Sequence, residues 1–131
     1  MIEFDPLHYP YASTRNVVYA KNGMCCAGNP SAASAGLQTL LKGGNAIDAA
    51  VAMLAQPVVE PSGNGLGCEC FAIVWYKGKM YGINGSGPAP RAASIDALKA
   101  RGFDKIPMLG VEPIDVPGAV ATWCALHEKF G

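Results

Sequence analysis

Charge is scarce in this sequence. Only 15% of the 131 residues are charged, ten Lys and Arg balance ten Asp and Glu, and no basic block occurs. That balance argues against nucleic acid or an anionic membrane surface as a partner, since both are recognised through concentrated positive charge. Apolar runs stay short, reaching seven residues at Ala49–Ala55, where a membrane-spanning helix needs about 20. Met1-Ile-Glu-Phe-Asp-Pro6 lacks the basic start and apolar segment of a secretory leader, so the protein is expected to be soluble and cytoplasmic. Histidine is limited to His8 and His127, and threonine to Thr14, Thr39 and Thr122. Nothing in the sequence places either histidine near a cysteine, so both are expected to be solvated or structural. What is plentiful is apolar surface, at 50% of residues, with 16 Gly and 10 Pro. Such a chain can bury a core.

The five cysteines are an odd number: Cys25, Cys26, Cys68, Cys70 and Cys124. Adjacent Cys25 and Cys26 would point to opposite faces of a strand and make a poor disulfide framework. Cys68-Glu69-Cys70 has a spacing that could seed a metal site. No second Cys pair or nearby His completes a ligand set, so free, largely buried thiols in a reducing compartment are expected, with no metal and no cofactor.

Residues 1–15 read as an irregular arm. Val17–Ala20 and Met24–Ala27 read as short strands joined at Lys21-Asn22-Gly23. Asn29-Pro30 starts a helix, with Ala33, Leu37, Leu40 and Leu41 at helical spacing, and Gly43 or Gly44 ends it. Asn45 caps a second helix, Ala46–Gln56, with Asp48 in its first turn. That helix is apolar almost all round and is expected to lie buried between layers. Cys70–Tyr76 and Lys79–Ile83 form a hairpin turned at Lys77-Gly78, in a sheet expected to be covered on both faces. Ser94 caps a short helix to Arg101, and a last helix runs from near Gly118 toward Phe130. The glycine-rich loop Pro61–Gly67 is no phosphate cradle, because it lacks a Lys-Ser/Thr ending and precedes a strand. Glu69 beside it is expected to be solvated.

Several segments in a consistent order carry a family resemblance. They are Gly23-Met-Cys-Cys-Ala-Gly-Asn-Pro30, Gly-Gly-Asn-Ala-Ile-Asp-Ala-Ala at 43–50, Val-Glu-Pro at 59–61 and Asp-Val-Pro-Gly at 115–118. With Arg15–Lys21 and the loop Asn84–Pro90, they make the chain resemble the γ-glutamyltranspeptidases, in the γ-glutamyltransferase-like or cephalosporin-acylase-like branch. The resemblance spans about Asn16 to Gly131.

It implies an α/β fold, with residues 1–131 forming the N-terminal portion of a four-layer α/β/β/α N-terminal-nucleophile hydrolase within the large subunit. Family members are longer precursors that cleave themselves before a threonine, whose new amino group activates its own hydroxyl toward a γ-glutamyl or related acyl amide. Thr14, Thr39 and Thr122 do not match that processing site. The fragment is therefore expected to contain no catalytic residue, to be inactive alone, and to partner the remainder of its own precursor.

One substrate-binding position is implied within the segment. Transpeptidases carry an Arg-Glu pair before Ala-Pro, and that Arg grips the substrate α-carboxylate. Aligning on Ala89-Pro90 places Ser86 and Gly87 there. Replacing a charge-assisted pair with a hydroxyl costs roughly 2–5 kcal/mol by analogy with other desolvated charge pairs. Arg91 reads either as a third contact reaching the site or as a surface arginine. Weak γ-glutamyl hydrolysis, or acylase action on a related acyl amide, is thus expected, and a non-catalytic structural or binding module is the alternative.

Overall fold

A computed structural model describes residues 17–56 and 65–131; the 1–15 arm and most of the Pro61–Gly67 loop lie outside the described residues. Six elements follow one another: α1 (Pro30–Leu41), α2 (Ala46–Ala55), β1 (Cys70–Tyr76), β2 (Lys79–Gly85), α3 (Ile95–Ala100) and α4 (Ala119–Phe130).

Caps fix the helix starts. The Asn29 side chain accepts from the Ser31 N–H at 2.7 Å, with Pro30 in the first turn. Asn45 and Asp48 form a reciprocal capping box at the start of α2. Ser94 Oγ accepts from the Ala97 N–H at 3.1 Å to start α3. Gly43, at φ +95°, turns the chain between α1 and α2 in the left-handed region. The two helices pack closely at Gly36, where a Cβ would lie 2.7 Å from Met53 Cγ.

The sheet is a single antiparallel pair with Val74 opposite Tyr81 and Tyr76 opposite Lys79. Lys77 and Gly78, both at positive φ, form its turn, a geometry that matches strand twist. α4 lies on one face. Its buried residues Ala119, Thr122, Trp123, Leu126 and Phe130 recur at helical spacing and make one continuous stripe. Trp123 and Ala119 pack with Cys70, Val51 and Leu54. Leu126 and Phe130 pack with Val74, Ile47 and the tyrosines of the hairpin. Phe130 meets the Tyr76 and Tyr81 rings edge-on, at centroid distances of 5.4 and 5.0 Å.

Four expectations need correction. Val17–Ala20 and Met24–Ala27 form no strands, because no neighbouring chain among the described residues supplies a ladder; Val17, Val18 and Tyr19 stand exposed. The hairpin is covered on one face only, since Phe71, Ile73, Trp75 and Met80 project from the face opposite α4 and are exposed. α2 is not enveloped either: α1 and α4 cover part of its circumference, and Ala49 is its one buried residue. The cysteines are free but not largely buried, Cys70 being buried while Cys26 and Cys124 are exposed. Among the described residues no helix is long and apolar enough to cross a membrane, and no group of three metal-ligating side chains occurs.

Candidate functional site

The loop that carries Ser86 and Gly87 begins where β2 ends. Asn84 Oδ1 accepts from the Ser86 N–H at 3.0 Å, folding the first turn of the loop onto its own side chain. Three glycines then allow backbone to meet backbone. A Cβ at Gly85 would collide with Thr122 Oγ1 and lie 2.6 Å from the Cys70 carbonyl oxygen. At Gly87 a Cβ would fall on the Val116 carbonyl, and at Gly118 on the Gly85 carbonyl. The strap 115–118 is stitched to the loop by the Val116 N–H, which donates to the Pro88 carbonyl at 3.0 Å. Just past it, the Ala119 N–H at the start of α4 donates to the carbonyl of Cys68, two residues before β1, at 2.9 Å.

Ser86 is therefore the one residue with a side chain between two close-packed glycines, and it is exposed. Gly87 is half-buried under the strap, and Arg91 is exposed farther along the loop. Arg91 has no carboxylate partner among the described residues. Loop and strap thus join Ser86 and Gly87 in one rigid unit, while Arg91 stands outside it.

A cavity of about 580 Å³ opens beside the loop, bounded by Ala89 and Pro90, α3 and residues 106–115. Ile95, Leu98, Ile106, Val111 and Ile114 give it a largely apolar lining, and the Arg101–Glu112 ion pair closes part of it. The Glu112 carboxyl is held below its ordinary value by its own backbone N–H and then by the Arg101 guanidinium. Ser86, Gly87 and Arg91 are not in its lining.

Neither described threonine is arranged as a nucleophile. Thr39 Oγ1 donates to the Ala35 carbonyl at 3.0 Å, and buried Thr122 Oγ1 donates to the Gly118 carbonyl at 2.9 Å. Thr14 and His8 lie outside the described residues. His127 is structural, with Nδ1 3.0 Å from Asp48 Oδ1, tying α4 to the α2 capping box. Glu69 is exposed, as a solvated carboxylate should be.

The roles of Val116, Gly118 and Thr122 were not read from sequence. The Asp-Val-Pro-Gly run and the density of glycines at 82, 85 and 87 were the available signal, since glycine is required wherever backbones touch.

The described residues define an α/β segment in which a glycine-rich loop is held against the start of a helix. The Gamma-glutamyltranspeptidase family profile matches residues 32–131. The chain belongs to the γ-glutamyltranspeptidase family. It is 37% identical over 120 residues to the Acylase ACY 1 proenzyme of Pseudomonas sp. (strain V22), covering 83% of this chain and 22% of that protein. It is 40% identical over 106 residues to the Glutathione hydrolase-like YwrD proenzyme of Bacillus subtilis (strain 168), covering 76% of this chain and 19% of the relative. The solved cephalosporin acylase from Bacillus halodurans superposes with a TM-score of 0.86 at 52% identity, over 98% of this chain and 24% of that one. The chain thus spans about a fifth of the length of the curated relatives it matches.

Proposed function

We propose that residues 1–131 are the N-terminal part of the large subunit of a self-processing acyl-transfer enzyme. A threonine outside this segment attacks the amide carbonyl of a γ-glutamyl or related acyl donor, with its own amino group taking the hydroxyl proton. The amide C–N bond breaks, the amine leaves with that proton, and water or an amine acceptor then takes the acyl group. The remainder of the precursor is the obligatory partner. The uncovered hairpin face, with Phe71, Ile73 and Trp75 exposed, fits a seam to further layers of a four-layer α/β/β/α fold.

The observation that carries the substrate reading is the neutral Ser86, fixed at the position where the family resemblance puts a carboxylate-gripping arginine. A hydroxyl donates one hydrogen bond and no charge. The donor is accordingly an acyl amide that does not depend on an α-carboxylate, and similarity to a cephalosporin acylase supports that choice.

The complete gene product should be assayed on γ-glutamyl anilide and on 4-aminobutyryl anilide, which differs only in lacking the α-carboxylate. The expected ratio of kcat/KM values is within about tenfold, or roughly 1.4 kcal/mol. A preference for the γ-glutamyl compound above about a hundredfold would contradict the substrate assignment, and hydrolysis of neither would contradict the enzyme reading. Ser86→Arg should shift preference toward the γ-glutamyl anilide.

A further inference from the structure

We propose that the 115–118 strap is the positioning element of the acyl-donor loop, acting through the backbone contact between Gly87 and Val116. The proposal rests on Ser86 belonging to the donor site and adds what fixes its direction. Residues 85–88 touch the strap or α4 from both sides of Ser86: the Gly85 carbonyl lies under Gly118, Gly87 lies under the Val116 carbonyl, and the Pro88 carbonyl accepts from the Val116 N–H. Thr122 holds the far end, bonded to the Gly118 carbonyl with its hydroxyl against Gly85. No side chain fits at 87 while the strap keeps this path. The loop therefore cannot accept a Glu at 87 without displacing Val116, and specificity at this site is set by a backbone lock as well as by the identity of residue 86. Gly28, just before α1, is exposed, has nothing within 4 Å of a built Cβ and supplies the control away from the loop and the hairpin.

In the complete gene product, Gly87→Ala should raise KM for γ-glutamyl anilide, whose α-carboxylate is the group Ser86 would face, by about tenfold with kcat little changed, because a displacement of about 1 Å in a positioning group has effects at least of that size. Gly28→Ala should leave both constants unchanged. Ser86→Ala combined with Gly87→Ala should be no worse than Gly87→Ala alone, since the glycine acts through the serine. Thr122→Val, which keeps the side-chain shape and removes the hydroxyl, should raise KM in the same non-additive way from the opposite end of the strap. Amide exchange at Val116 reads the lock without activity: Gly87→Ala should accelerate it and Gly28→Ala should not. Unchanged KM in Gly87→Ala, full additivity with Ser86→Ala, or undisturbed Val116 exchange would each overturn the proposal. A wild-type protein inactive on both anilides would instead overturn the functional reading, and Val116 exchange would still decide on the lock.

Discussion

Replacing Asn45 with alanine removes side-chain hydrogen bonds that serve two helices at once. Asn45 Oδ1 accepts from the N–H groups of Ile47 at 2.7 Å and Asp48 at 3.1 Å, satisfying donors that the first turn of α2 leaves orphaned. Its Nδ2 donates to the Phe130 carbonyl at 2.5 Å, closing the last turn of α4. Loss of an N-cap of this kind costs about 1 kcal/mol, and loss of a part-buried hydrogen bond about 1 kcal/mol more. The two sum to about 2 kcal/mol, close to a thirtyfold change in the opening equilibrium. Asn45→Ser separates the contributions, because serine keeps a capping oxygen and lacks the amide donor; it should cost about 1 kcal/mol. Native-state amide exchange measures both values locally, in α2 and α4, without requiring the whole protein to unfold in one step. Unchanged α4 protection in Asn45→Ala, or Asn45→Ser as damaging as alanine in both helices, would show that Asn45 does not join the two helices.

Further outcomes follow from the same geometry. The Asn45 backbone N–H, and then the His127 ring, hold the Asp48 carboxyl below its ordinary value, against the effect of partial burial. A depressed folded-state pKa contributes stability that is complete above the unfolded value and lost as pH falls through the folded one. Protection of α2 should therefore decline on acidification below the ordinary carboxylate range, and Asp48→Asn should flatten that decline; an equal decline in the variant would exclude Asp48 as its source. Gly85→Ala should destabilise the hairpin–α4 contact by about 1–3 kcal/mol through overpacking against Thr122 and the Cys70 carbonyl, while Gly28→Ala should be neutral in the same exchange experiment. Phe130→Ala should cost about 3–5 kcal/mol, since it empties the site between Val74, Leu126 and the two tyrosine rings; a loss under 1 kcal/mol in α4 would place Phe130 outside the core.

Local signals carried well from sequence to structure. Asn29, Asn45 and Ser94 each cap the helix they precede, and Lys77-Gly78 sets the hairpin register, because these residues act on backbone within three or four positions. Readings that required a neighbour failed. Val17–Ala20 has strand-like residues but no ladder partner among the described residues, and the apolar faces of α2 and β1 exceed what α1 and α4 can cover. The ties from Asn45 to Phe130 and from Asp48 to His127 join positions far apart in the chain, so no spacing rule reveals them. In the loop after β2, Ser86 and Gly87 were singled out by family resemblance. The carbonyl that makes Gly87 obligatory comes from Val116, and sequence alone does not show that approach.

On the proposed function, this segment serves a precursor that cuts itself to expose a threonine nucleophile. Intact mass and N-terminal sequencing of the purified complete gene product test it directly. Two chains are expected, one carrying residues 1–131 and the other beginning with threonine. A single uncleaved chain, with no new N-terminal threonine after prolonged incubation, would contradict it.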